Sequence, residues 1–172
     1  MSDTDDRTIT TGPQRWLDVL ASVALHLAAL AMLGLVAVQG WQVFARYVIN
    51  DSPGWTEPLT ILLLSTAMSL GAAAAVHGNR HFGFFLLAGV LGPRLKCALG
   101  VVVEVVVATI GAVLAWWGWM LWMDGVHIKT AGADFPQSIN YLPLCIGGAL
   151  MLVFAINRLL LALRPTTIEG EH

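Results

Sequence analysis

Between Asp18 and Arg46 the chain runs from Val19 to Ala45, 27 residues, without one Asp, Glu, Lys or Arg. As a helix rising about 1.5 Å per residue, that run reaches roughly 40 Å, against a hydrocarbon core of ~30 Å in a typical bilayer. A helix of this length in water would need charge on its outer face, so the run reads as a membrane crossing that tilts or protrudes. It is too long for the apolar centre of a secretory signal and lacks the basic start, so it is expected to be an anchor that stays.

The rest of the chain repeats the pattern. Of 172 residues 57% are hydrophobic and only 12% charged, and the mean hydropathy is +0.73. A soluble domain carries about 25% charged residues, so this chain lacks the polar atoms to cover a globular surface. A second helix is expected from Pro58 to about Val76, a third from about Leu95 to Met123, and a fourth from about Tyr141 to Leu163. Pro58 suits a first turn, with Thr56 as the cap just before it. The segment from His77 to Lys96 is basic and broken by Gly83, Gly89 and Gly92-Pro93, too short to cross. It is expected to lie flat in the interface. The fold class is therefore an all-α membrane protein with four transmembrane helices, the first and third long and tilted, and a short interfacial segment between the second and third. Residues 1–15 and 164–172 read as tails around a domain of residues 16–163.

Lys and Arg set the orientation. The tails and the middle loop carry Arg7, Arg15, Arg80, Arg94, Lys96, Arg158 and Arg164, while the other two loops carry Arg46 and Lys129. Seven against two places both termini in the cytoplasm. Trp41, Trp55, Trp116, Trp117, Trp119 and Trp122 then gather on the outer side, where indoles favour the headgroup zone. Cys97 and Cys145 fall at opposite faces and cannot be joined.

Polar residues within the apolar runs are few. Glu104 is the one intramembrane acid, and Arg158 on the antiparallel fourth helix lies at similar depth from the same face. An ion pair is the economical reading, because either charge alone in hydrocarbon is costly. Arg46 and Glu57 flank the turn Asp51-Ser-Pro-Gly54 beside Trp55. They either pair, face protein, or mark where membrane ends, and spacing favours the last. Ala67, Gly71 and Ala75 stand four apart and admit a close neighbouring helix, in this chain or another. His26 reads as a hydrogen-bonded interior histidine. His77 and His81, four apart, could in principle ligate metal or haem, but Gly78 and Gly83 weaken a helix there and a solvated interfacial pair is preferred.

No paired carboxylate, phosphate loop, nucleophile motif or metal spacing occurs in the sequence, so no enzyme, cofactor or metal is expected. A net charge of -2 and the lack of a basic cluster argue against nucleic acid.

The hairpin Phe44-Ala-Arg46-Tyr47-Val-Ile-Asn50 … Trp55-Thr-Glu57 resembles the Arg-Tyr-x-x-Asn … Trp-x-Glu signature of the small (Q-type, DctQ-like) permease subunit of tripartite ATP-independent periplasmic (TRAP) transporters. Leu70-Gly71-Ala-Ala-Ala, then His77-Gly78-Asn-Arg80-His81 and Gly92-Pro93-Arg94, are similar to the family's stretch after its second helix. The resemblance covers about residues 16 to 163. Pro58 stands where the family often has a second acid, and Phe84 and Phe85 stand where it often has one after the histidine. Roles resting on those acids do not carry over.

The resemblance implies a non-catalytic subunit in a bacterial inner membrane. It would brace a large permease subunit that holds the substrate and sodium sites. A periplasmic solute-binding protein would deliver an organic anion, a carboxylate or sugar acid. Arg46, Trp55, Glu57, Gly71, His81, Glu104 and Arg158 are the candidate interface or structural residues, with membrane lipid as a further contact. Two other classes compete. A haem- or quinone-binding anchor of an oxidoreductase would use His26 with His77 or His81, and an autonomous carrier would need a polar path that Glu104 alone does not supply.

Overall fold

The computed structural model describes residues 12–51, 53–78, 93–133 and 135–163. Four long helices fill it: α1 (Gly12–Phe44), α2 (Thr56–His77), α3 (Pro93–Gly125) and α4 (Leu142–Leu163). Each contains a stretch long and apolar enough to cross a bilayer, of 36, 22, 28 and 25 residues in chain order, the first and last counted with their adjoining turns. Hydrocarbon offers no partner for backbone N–H and C=O groups, so uncharged runs of this length satisfy themselves as helix.

α1 and α3 are the long pair, as expected from the sequence, and α1 already runs at Gly12, inside the segment read as tail. Its far end does not stop at Phe44 but widens into one π-helical turn, Ala45–Ile49. Asn50 closes that turn in the left-handed region, φ 60, with its N–H directed to Ala45 O. Asn is among the few side chains that tolerate this conformation. α2 starts one or two residues earlier than Pro58 suggests. Trp55 occupies the cap position without a side-chain bond, and Thr56 instead donates its hydroxyl backward to Pro53 O, 2.8 Å. The fourth crossing begins with a 3-10 turn, Gln137–Tyr141, ahead of α4.

Consecutive helices run antiparallel, so that α2 and α4, side by side, run parallel, with α1 packed on the free flank of α2 and α3 on that of α4. Small residues make these approaches. Ala21, Ala24, Ala28 and Ala31 of α1 are buried toward α2, and a Cβ on Gly71 would sit 3.8 Å from Ala28. The neighbour implied by the Ala67-Gly71-Ala75 face is thus α1 of the same chain.

The α3–α4 seam is tighter. A Cβ on Gly148 would come within 2.6 Å of Ala115 N, and one on Gly111 within 2.8 Å of Leu152 N. Backbone meets backbone here, a contact that any side chain would force open. The buried core falls in two clusters, Ala21, Ala73, Val76, Met151, Phe154 and Ala155 in one and Ala24, Ala28, Leu70 and Ala74 in the other.

At the end away from Gly12, the segment between α3 and α4 folds back on itself. Thr130 donates its N–H to Phe135 O at 3.1 Å and Gln137 to Ile128 O at 2.9 Å. Gly132, φ 81, lies directly against Gly54 of the α1–α2 turn. The interfacial segment expected between the second and third helices falls largely on residues 79–92, outside the described residues. The tails, residues 1–11 and 164–172, fall outside them too.

Candidate functional site

The polar groups of the bundle divide between its two ends. At the end that holds the start of α1, Arg158 reaches from α4 to two other helices. Its Nε lies 3.0 Å from Glu104 Oε1 on α3, and an Nη donates to Val76 O on α2 at 2.6 Å. Glu104 is buried and Arg158 mostly so. Removing either charge from such surroundings is costly, since the other is left uncompensated. Val76 O lies near the C-terminus of α2, where carbonyls lack an intrahelical donor and the helix dipole favours a cation. Arg158 therefore clasps α2, α3 and α4 together. The second carboxylate oxygen, Glu104 Oε2, is buried without a hydrogen-bond partner.

A second tie at this end was not expected from the sequence. His77 Nε2 of α2 lies 2.7 Å from Asp18 Oδ1 of α1, and the His77 ring packs on Phe154 of α4 with centroids 4.9 Å apart. The signal was present. Asp18 opens the first apolar run and His77 closes the second, and an antiparallel hairpin puts both at the same end. All four helices are thus pinned at one end.

The opposite end carries Arg46, Trp55 and Glu57. All three are exposed. The ion pairs among the described residues involve neither Arg46 nor Glu57, so the hairpin charges do not satisfy one another. What joins the hairpin is Gln39 of α1 donating to Thr60 of α2 at 3.1 Å. Trp41 and Phe44 stack at 5.9 Å, and Trp119 and Trp122 at 5.0 Å, on the same end. Gly71 is in the α1–α2 contact, and His81 lies outside the described residues.

Between the ends the polar groups are few, and the buried one is engaged. Ser69 of α2 lies 2.7 Å from Ser65 O and 2.8 Å from Pro143 O of α4, so its proton is shared with a neighbouring helix. Thr66 returns its hydroxyl to Leu62 O. The groove between α1, α2 and α4, about 370 Å³, is lined by Leu20, Val23, Leu27, Leu62, Leu70 and Leu150 among others. An anion would find no charged donor there. Among the described residues no three His, Cys, Asp or Glu side chains converge as a metal site. The Nε2 that haem would need on His77 is taken by Asp18.

A family model of the tripartite ATP-independent periplasmic transporters, DctQ component, matches residues 35–165. The chain belongs to this family. The match takes in the Arg46–Glu57 hairpin, all of α2, the α3–α4 seam and both residues of the Glu104–Arg158 pair, while the alanine face of α1 precedes it. The chain is also similar to the sialic acid TRAP transporter small permease protein SiaQ of Vibrio cholerae serotype O1, 30% identical over 84 residues, 48% of this chain and 49% of that protein. The chain thus spans about half the length of that relative. The family is one of multi-pass membrane components of transporters, not of enzymes. Charged groups used as clasps rather than lined along a path fit that assignment.

Proposed function

We propose that this DctQ component braces a large permease subunit in a bacterial inner membrane, for sodium-driven uptake of an organic anion that a periplasmic binding protein delivers. One observation carries the scaffold reading. The buried polar residues among those described are Thr56, Ser69, Glu104, Ser138 and Asn140. Only Ser69 and Glu104 belong to the membrane-crossing interior, and each is committed to a neighbouring helix. A solute path needs successive polar stations, and two engaged groups at separate depths do not make one. The chain instead has what a rigid support needs, two long helices flanking a seam of backbone contact.

The solute is an organic anion of the carboxylate or sugar-acid class. The sialic acid of the Vibrio relative's name is such a carboxylate-bearing sugar. Both termini lie in the cytoplasm. Arg15 and Arg158 sit at one end of the bundle against Arg46 and Lys129 at the other, and the whole-chain count favours the first end as the inner one.

The test is uptake by proteoliposomes that contain the large subunit, with binding protein and labelled sialic acid outside and a sodium gradient imposed. Adding this chain should be required for uptake. Uptake by this chain reconstituted alone would overturn the scaffold reading.

A further inference from the structure

We infer that the outward face of α1 running Ser22, His26, Ala29, Leu33, Ala37 and Gly40 is covered by a membrane-spanning helix of a partner subunit, one carrying a hydroxyl or carboxamide hydrogen-bond donor opposite His26. This rests on the subunit role proposed above.

All six residues are exposed, and their spacing of three and four puts them on one stripe of the helix. The opposite stripe, Ala21, Ala24, Ala28 and Ala31, is the one spent on α2. Small residues alone would not identify a docking face. His26 does, through its ring nitrogens. Its Nδ1 lies 2.7 Å from Ser22 O. A carbonyl only accepts, so Nδ1 carries the proton, and in the neutral imidazole Nε2 presents a lone pair. No described residue of this chain meets that nitrogen.

The depth excludes the bulk solvents. His26 stands eight residues beyond Asp18, about 12 Å along the helix, and twenty before Arg46, about 30 Å. Its surface neighbours Leu25, Leu27 and Leu30 are exposed aliphatics. Acyl chains offer no donor to an imidazole lone pair, and polar side chains inside a membrane almost always face protein. The occupant that complements the acceptor is another helix with a donor. Gly40, whose Cβ would meet nothing within 4 Å, and Ala29 and Ala37 let that helix approach closely. The exposed face of α3 offers a contrast. Val102, Val106, Ile110 and Val113 are apolar, and Thr109 has already given its hydroxyl to Val105 O. That face is complete against lipid.

The experiment uses the chain co-expressed with the large permease subunit in its native membrane. A photoreactive benzophenone side chain is placed at Ala29, at Leu33, or at Ile110 on α3. Irradiation should join the two subunits from Ala29 and Leu33 and not from Ile110. Adducts from Ile110 alone, or only lipid adducts or dimers of this chain from Ala29 and Leu33, overturn the assignment of the face.

In parallel, His26→Leu should lower the co-purifying large subunit by roughly threefold to fifteenfold, the worth of one transmembrane side-chain hydrogen bond. His26→Gln, which keeps an acceptor, should retain most of it. Wild-type recovery for His26→Leu overturns the hydrogen bond. If the unmodified chain does not co-purify with the large subunit at all, the subunit role itself fails, and this is a different result from crosslinks on the wrong helix.

Discussion

Glu104 and Arg158 meet at 3.0 Å across the α3–α4 seam, and the same guanidinium closes on Val76 O of α2 at 2.6 Å. One cation therefore holds three helices, with a buried carboxylate as its counter-charge. Glu104→Gln should lower the melting temperature and folded yield in detergent more than Glu104→Gln combined with Arg158→Gln. The double-mutant cycle should give a coupling of about 1–3 kcal/mol. Simple additivity of the two single effects would mean that the pair contributes nothing.

The glycine seam predicts an ordering. A methyl at Gly148 or Gly111 collides with backbone atoms that cannot rotate away, at 2.6 and 2.8 Å. A methyl at Gly71 makes an ordinary 3.8 Å contact with Ala28. Gly148→Ala and Gly111→Ala should each destabilise the purified protein by about 2 kcal/mol or more, while Gly71→Ala stays within about 0.5 kcal/mol. Thermal scanning of the three variants settles the order, and a Gly71→Ala as damaging as Gly148→Ala would contradict the packing.

This contrast shows what the sequence made legible. The lengths of the apolar runs place four crossings, because hydrocarbon leaves the backbone no alternative. The antiparallel order of the ends follows, and with it the Glu104–Arg158 pair. Which small residues meet is a different matter. Ala67-Gly71-Ala75 advertises a contact face, and so do Gly111, Ala115 and Gly118, yet only the second set, with Gly148, meets a neighbouring backbone. Helix rotation decides that, and an almost uniformly apolar helix carries little amphipathic signal to fix its rotation. The π turn at Ala45–Ile49 was equally silent, since it depends on how Asn50 closes the helix rather than on composition.

Orientation is tested with single cysteines in a chain freed of Cys97 and Cys145. Ala131 is exposed in the α3–α4 loop and Gly78 is exposed at the end of α2. A membrane-impermeant maleimide added to intact cells should label Ala131→Cys and leave Gly78→Cys untouched until the membrane is opened. Labelling at Gly78 from outside reverses the topology.

The hairpin charges can be separated from one another, because Arg46 and Glu57 are both exposed and have no ion-pair partner among the described residues. Glu57 also sits in the first turn of α2, where an acid complements the helix dipole. Glu57→Lys should reduce co-purification with the large subunit while membrane insertion of this chain is unchanged. The swap Arg46→Glu with Glu57→Arg should not restore it. Restoration by the swap would show that the two residues act as a pair, and an unchanged complex in Glu57→Lys would leave them as markers of the membrane edge.

The contact of Gly54 with Gly132 ties the two loops at the end away from Gly12, and both positions are constrained for different reasons. Gly132 has φ 81, a conformation that side-chain-bearing residues adopt at a cost of about 1–2 kcal/mol. A Cβ there would also fall on the carbonyl of Gly54. Gly132→Ala must therefore separate the loops, strain the backbone, or both. The helices end before this contact, and Thr130 and Gln137 keep their own hydrogen bonds to Phe135 and Ile128. The bundle should consequently remain folded, with a melting temperature close to that of the wild type. Hydrogen exchange should rise together in residues 51–55 and 126–136, and Ala131→Ser, which places its side chain in open solvent, should change neither segment. If the binding protein docks on this end, Gly132→Ala raises the concentration of binding protein needed for half-maximal uptake and leaves the maximal rate intact. Faster exchange confined to residues 126–136, with residues 51–55 as slow as before, would mean that the two loops touch without supporting each other.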